Sequence, residues 1–312
     1  MLRVGFTCWL TLMLMLIAPL ARGQYRPSAT AWKELQQKED SLKLLAYTLV
    51  NGRDELIRRQ ANDAFIPHLV NALKIRGSFY YPFDSLRQIS ILYAPDSSFR
   101  IFSWQFPRSF GSYRYYGAIQ MNTRDGQLKL FPLFDNSEFT YHLEDTITGP
   151  RGWIGCIYYR LIETRFKNQK YYTLFGFNGN SLLSNKKILE PLTFPHGEPV
   201  FGAPIFSFAE DSIPGADRNR FVLEYKKDGD AGMNYDDELK MIVYDELVPL
   251  HNEPEKKYTY VPDGNYEGFV WKNGKWMHVT KVFPENQGPT PIPLPIDFSK
   301  KTLIPKDSTE ER

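Results

Sequence analysis

The sequence predicts a mainly β protein, an antiparallel meander of about five hairpins that follows an N-terminal helical hairpin. Two amphipathic helical patterns near the amino terminus, and then five pairs of apolar runs separated by turn residues, predict this order. Aromatic residues make up 15% of the chain, and Phe and Tyr, the most frequent of them, are favoured in strands. The pairing pattern leaves open whether the strands form a barrel, a sandwich or an irregular propeller.

The first 23 residues have the features of a cleavable secretory signal. Arg3 gives a positive start, residues 10–17 form an apolar core, and Pro19 interrupts it. Ala21-Arg22-Gly23 then places small side chains before a predicted cut ahead of Gln24. The alternative is a membrane anchor, which needs about 20 apolar residues, and this run is shorter. We therefore expect an exported protein without a transmembrane anchor after cleavage.

Charge and cysteine content narrow the classes of partner. Of the 312 residues, 38 are Lys or Arg and 36 are Asp or Glu, and residues 1–23 contain two arginines and no acid. The remaining 289 residues thus carry 36 charges of each sign, so no long-range field attracts nucleic acid or an anionic membrane. Only Cys156 remains after cleavage, which excludes an internal disulfide and suits a bacterial exported protein.

Residues 24–77 are predicted to form the helical hairpin. Apolar residues recur at helical spacing over 31–50, and Asn51-Gly52 provides a stop signal. The second helix begins near Asp54 and ends at Gly77, with a kink expected at Pro67.

Residues 78–283 are predicted to form the antiparallel β domain. Asp125-Gly126 and Asn273-Gly274 are typical hairpin turns. The expected strand pairs are 89–93 with 99–106, 113–121 with 127–134, 153–166 with 171–177, 221–226 with 239–245, and 266–271 with 275–282. Prolines recur from 284 to 312, so we expect a disordered, Pro-rich tail.

Motifs that would commit the chain to a metal or a nucleophile are missing from the sequence. Its five histidines are scattered singly, and we predict no metal site and no cofactor. The acidic stretch 228–238 resembles a calcium loop, but Met233 stands where an EF-hand requires glycine, which favours a solvated connection. Cys156 lies among apolar neighbours, as inert core cysteines do.

Carboxylate pairs can hydrolyse glycosides whatever their sequence spacing. The acidic residues that could each form half of such a pair are Asp84, Glu144, Asp145, Glu190, Glu224 and Glu267. The sequence does not choose among them, so the catalytic residues stay unassigned.

Aromatic side chains offer a second kind of candidate site, because their ring faces stack on sugar rings. The candidates for such binding are Trp104, Tyr115, Tyr116, Trp271 and Trp276. Burial in the core is the alternative for each of them.

Several sequence segments resemble those of an exported family of Bacteroidetes for which no activity is known. They are Ser78-Phe79-Tyr80-Tyr81-Pro82-Phe83-Asp84-Ser85-Leu86, Phe99-Arg100-Ile101-Phe102-Ser103-Trp104, Tyr172-Thr173-Leu174-Phe175-Gly176-Phe177-Asn178-Gly179-Asn180, and Tyr260-Val261-Pro262-Asp263-Gly264-Asn265-Tyr266 followed by Gly274-Lys275-Trp276. The resemblance spans most of residues 30–283. It implies a Gram-negative envelope setting, in the periplasm or at the periphery of the outer membrane, and provides no active-site residue.

Together these observations favour an exported envelope protein that acts as a non-catalytic binding or scaffold module for a protein or glycan partner. The alternative function is a hydrolase that uses an Asp/Glu pair assembled by the β domain. Oligomeric state and ligand are not encoded in any motif.

Overall fold

The computed structural model describes residues 25–209 and 217–283. The predicted signal and the predicted Pro-rich tail therefore lie outside the described residues. Within the described part, two helices precede fourteen strands arranged in three sheets. This confirms the prediction of a mainly β fold with an N-terminal helical hairpin.

The two helices are capped at their amino ends and form the predicted hairpin. Helix α1 spans Ala29–Asn51 and helix α2 spans Glu55–Leu73. The side chains of Ser28 and Asp54 accept hydrogen bonds from backbone amides in the first turns, which satisfies donors that a helix end leaves free. Helix α2 continues through Pro67. Neither of these described helices combines the length and apolar character needed to cross a membrane.

Each of the three sheets is built mainly from strands that are consecutive in the chain. The first has the order β1-β2-β3-β4, the second β10-β7-β6-β5 with β8 beside β7, and the third β11-β12-β13-β14-β9. The strands are β1 Ser90–Tyr93, β2 Phe99–Pro107, β3 Tyr113–Met121, β4 Lys129–Phe134, β5 Ile157–Phe166, β6 Gln169–Asn178, β7 Ser184–Thr193, β8 Val200–Phe201, β9 Phe206–Ser207, β10 Phe221–Lys226, β11 Met233–Asp236, β12 Met241–Pro249, β13 Tyr260–Lys272 and β14 Lys275–Val279. All pairs are antiparallel except β9 with β14.

Three hydrophobic clusters join the helical hairpin and the three sheets. The first lies between the helices and one face of the first sheet, and it contains Leu42 of α1 and Phe102 of β2. The second joins the opposite face of that sheet to the second sheet, and the third joins the second sheet to the third. The apolar stripe of α1 is thus covered by the chain's own sheet. The hairpin still exposes other apolar side chains, among them Leu44 and Tyr47 of α1 and Leu56 of α2.

One of the five predicted strand pairs is wrong. Strand β10 pairs with β7, not with β12, which pairs with β11 and β13. The sequence predicts no strand at the position of β7, because Lys186, Lys187 and Pro191 interrupt its apolar pattern. The alternating side chains of β10 explain its placement. Phe221 and Leu223 point into the third cluster, while Val222 packs into the second.

Candidate ligand-binding cleft

A cleft of about 550 Å³ lies between the second and third sheets. We call it the edge cleft, because it follows the outer edge of strand β10. Its lining residues are His142, Leu143, Glu144, Asp145, Lys186, Arg218, Phe221, Val222, Leu223, Glu224, Tyr244, Glu246, Leu247, Lys257, Tyr260 and Glu267.

The residues of β10 that line the cleft show that it lies at the edge of this strand. Four consecutive residues of that strand, Phe221 to Glu224, face the cleft. Successive side chains of a strand point to opposite faces, so a cavity that contacts four in a row must wrap around the strand's edge. Strand β10 is the end strand of its sheet, and β7 is its sole strand partner within the described residues.

A buried arginine holds the segment 142–148, in which residues 142–145 form one wall of the cleft. The guanidinium of Arg220 is fully buried and donates to the Glu190 carboxylate at 2.6 Å. It also donates to the backbone carbonyl of Leu143 at 3.1 Å, to the carbonyl and hydroxyl of Thr146, and to the Thr148 hydroxyl at 3.1 Å. The side chain of Arg220, the residue directly before β10, thus joins this strand to the wall. We conclude that Arg220 positions the wall rather than contacting a ligand.

The carboxylate of Glu190 is fully buried behind that wall. The Tyr158 hydroxyl donates to it, and the Trp153 indole N–H donates to the same tyrosine at 2.7 Å. Burial raises the pKa of Tyr158 well above its ordinary value, and the charge of the adjacent Glu190 carboxylate raises it further. The network therefore keeps its tyrosine protonated and serves the packing of the second sheet.

Basic side chains contact three of the carboxylates that line the edge cleft. Arg218 contacts Glu144 at 3.0 Å, Lys186 contacts Glu224 at 3.6 Å, and the His278 ring nitrogen lies 3.4 Å from Glu267. Five carboxylates line the cleft, against three Lys and Arg side chains. The cleft therefore has a net negative charge and favours a ligand that carries cationic groups.

Glu246 is a cleft carboxylate with a raised pKa. It lies at a β-bulge, where the pairing of β12 with β13 shifts between Asp245 and Leu247. Burial raises the pKa of Glu246, the negative charges of Asp263 and Glu267 raise it further, and the positive charge of Lys281 offsets part of the rise. Bulges frequently redirect a side chain towards a functional site.

A second cavity of about 320 Å³, the side cavity, adjoins the edge cleft and shares His142, Leu143 and Lys186 with it. Tyrosines and short polar side chains line most of it, in contrast to the charged edge cleft. Tyr141 stands at its rim and is 81% exposed. Two further cavities, of about 200 and 330 Å³, involve the helices and contain no cluster of carboxylates.

The fold brings together four of the six carboxylates that the sequence singled out. Glu144, Asp145, Glu224 and Glu267 all line the edge cleft, although they come from three separate segments of the chain. Of the other two, Glu190 is fully buried behind the wall, and Asp84 lies exposed in the segment after the helices. Sequence reasoning missed Glu246, because a bulge leaves no signal in the residue pattern.

The five aromatic candidates do not converge on one surface. Trp104 packs between Phe65 and Tyr116, and its indole N–H donates to Asn62 at 3.0 Å. Trp276 is fully buried and donates to the Thr173 hydroxyl at 3.0 Å. These contacts place both indoles in the core, so their ring faces are closed to a sugar.

The remaining three aromatic candidates are distributed over the molecule. Tyr115 is 2% exposed at the side cavity, where its hydroxyl accepts from the backbone amide of Gly179 at 2.6 Å. Tyr116 and Trp271 are half-buried on different sheets, and Trp271 packs edge-on against Trp276. A shared stacking platform built from these residues therefore has no support in their positions.

Neither Cys156 nor the acidic stretch 228–238 lines the edge cleft. Cys156 is fully buried, and burial, followed by the charge of Glu190, raises the pKa of its thiol. The acidic stretch 228–238 connects β10 to β12 and contains strand β11. Among the described residues, no group of three or more His, Cys, Asp or Glu side chains is placed to hold a metal ion.

Comparisons with known protein families, with curated proteins and with solved structures found no match to this chain.

Proposed function

We propose that the chain is an exported, non-catalytic binding protein of the cell envelope, and that a protein or glycan ligand enters the edge cleft. The observation that carries this proposal is the cleft itself, a cavity of about 550 Å³ that combines charged groups of both signs with the outer edge of a strand. Ligand sites are concave and contain a few convergent polar groups, as this cleft does.

Binding is tested with arrays of peptides and of glycans, probed with the labelled protein and with the variant Glu246→Lys. Ligands of the cleft should bind the wild-type protein and lose at least tenfold in signal with the variant, because the substitution reverses a charge inside the cavity. Glu34→Lys is the matched control, since Glu34 is exposed on α1, far along the chain from the cleft. Empty arrays, or ligands that bind both variants like the wild type, would contradict the proposal.

The export part of the proposal is supported by the charge and apolar pattern of residues 1–23. It is tested by expressing the full chain in a Gram-negative host and sequencing the amino terminus of the protein in the periplasmic fraction. A mature protein that starts at Gln24 supports export. Retention of an intact Met1 start in the cytoplasm would contradict it.

A second candidate function is hydrolysis by Glu246 and Glu267. Carboxylate-pair hydrolases need one carboxyl group that keeps its proton and a second that stays ionised. The raised pKa of Glu246 favours the first role, and Glu267, whose charge acts on Glu246, is the neighbouring carboxylate available for the second. If aryl glycosides are cleaved, Glu246→Gln should reduce the rate by about 100-fold or more, the usual size of general acid–base catalysis, while Glu144→Gln retains it.

A further inference from the structure

We infer that the ligand of the edge cleft is an extended polypeptide, which adds a strand to the outer edge of β10 and places basic side chains against the carboxylates of the cleft. The inference rests on the proposed function, because it names the ligand class of the same site.

In the described part of the chain, the second sheet has a free edge along strand β10. In an antiparallel ladder, every second residue of an end strand directs its N–H and C=O groups away from its partner. Strand β10 pairs with β7 on one side, and no backbone hydrogen bond joins Val222 to Tyr225 to another strand on the other side within the described residues. The edge cleft runs along this side. A polypeptide strand can satisfy those outward groups, and a sugar ring cannot do so in register.

The wall 142–145 and strand β10 set the length of the space that the edge cleft offers to a ligand. At its beginning, the backbone amide of Asn219 already donates to the carbonyl of Glu144 at 2.7 Å, so the wall 142–145 closes that end. From there the cleft follows β10 over four residues, Phe221 to Glu224, which corresponds to roughly 13 Å of strand. A ligand would place about four extended residues along it.

The carboxylates of the edge cleft complement the charge of a ligand that carries basic side chains. An added strand directs alternate side chains to the two faces of the sheet, so one set would face the third sheet. Glu246 and Glu267 line the cleft from that sheet, and the five carboxylates of the cleft outnumber its three Lys and Arg side chains, although Lys281 also attracts Glu246. Basic side chains at alternate positions would meet both carboxylates. A glycan would instead need an accessible ring face here, but Phe221 and Tyr244 are buried, and the ammonium of Lys257 lies over the Tyr260 ring, 4.2 Å from its centroid.

The probe is a fluorescent peptide of sequence TKVKVKVT, whose affinity is measured by anisotropy at low salt. Two controls share its length: one carries Glu in place of every Lys, and a chitosan hexasaccharide offers cationic groups without a peptide backbone. We expect the Lys peptide to bind at least tenfold more tightly than either control. The double variant Glu246→Gln/Glu267→Gln should weaken it at least fivefold, and Glu34→Gln should leave it unchanged.

Backbone pairing is tested with two N-methylated peptides, one methylated at the three Lys residues and the other at the three Val residues. Only one of these sets directs its amides towards β10, so one peptide should lose at least tenfold in affinity and the other should bind as before. Equal binding of both, or chitosan binding as tightly as the Lys peptide, would overturn the inference and leave the proposed function standing. If no probe binds and the arrays are empty, both fail together.

Discussion

Replacing Arg220 with Met tests whether the buried ion pair holds the wall of the edge cleft. The substitution keeps the length and the apolar stem of the side chain but removes the charge. Six hydrogen bonds disappear, among them those to Glu190, to the carbonyls of Leu143 and Phe201, and to the Thr148 hydroxyl. The carboxylate of Glu190 would then stay buried without its cation.

The magnitude follows from that burial. Both side chains of the pair are 0% exposed, and removing one partner of a buried pair costs about 3–5 kcal/mol. We expect Arg220→Met to lower the free energy of unfolding by about 4 kcal/mol. The neighbouring Arg218 is the matched control, because its pair with Glu144 is about one-third exposed and such pairs contribute about 1 kcal/mol or less.

The assay is urea unfolding followed by tryptophan fluorescence, since Trp153 lies in the same network. The double variant Arg220→Met/Glu190→Leu should recover at least about 1 kcal/mol of the loss, because the uncompensated charge is gone. If Arg220→Met lowered stability no more than Arg218→Met, the assignment of Arg220 as the residue that holds the wall would be refuted.

Three further predictions concern the sheets. Burial raises the pKa of Asp96, but hydrogen bonds from Lys170, Ser98 and Tyr172 outweigh this effect and hold the pKa well below the ordinary 3.8. The stability that this carboxylate contributes is therefore fully present above the ordinary pKa and is lost as the pH falls from there towards the lowered pKa. The difference in unfolding free energy between pH 6 and pH 3, measured in urea, should be smaller for Asp96→Asn than for the wild type, and an unchanged difference would contradict this. Cys156 should react with a thiol reagent only after unfolding, and rapid reaction of the folded protein would contradict its burial. A Cβ on Gly176 would meet the Cys156 sulfur at 2.6 Å, so Gly176→Ala should cost about 1–3 kcal/mol in urea unfolding and Cys156→Ala should restore part of it; no loss would show that the core yields there.

Much of the fold could be predicted because local patterns specify it. Helix α1 has an apolar stripe and a Ser28 cap, and the hairpin of β13 with β14 has the Asn-Gly turn that brings its strands together. Strand β7 could not be predicted, since its lysines and Pro191 break the apolar pattern. It forms because the tertiary structure provides strands on both of its sides, β6 and β10.

The edge cleft shows a different limit of sequence reasoning. Glu144, Glu224 and Glu267 could be recognised as candidates by residue type, but their convergence depends on the pairing of β10 with β7 and on the stacking of the sheets. The indole rings of Trp104 and Trp276 illustrate the reverse case, because aromatic content predicts a core and a binding platform equally well until burial is known.

Amide hydrogen exchange along β10 tests the central claim most directly. On saturation with the Lys peptide, the outward amides between Phe221 and Lys226 should gain protection, because an added strand accepts their hydrogen bonds. Amides of the distant edge strand β1 should exchange as before. Saturating binding with no added protection in β10 would contradict the account of the edge cleft as the site at which this protein takes its ligand.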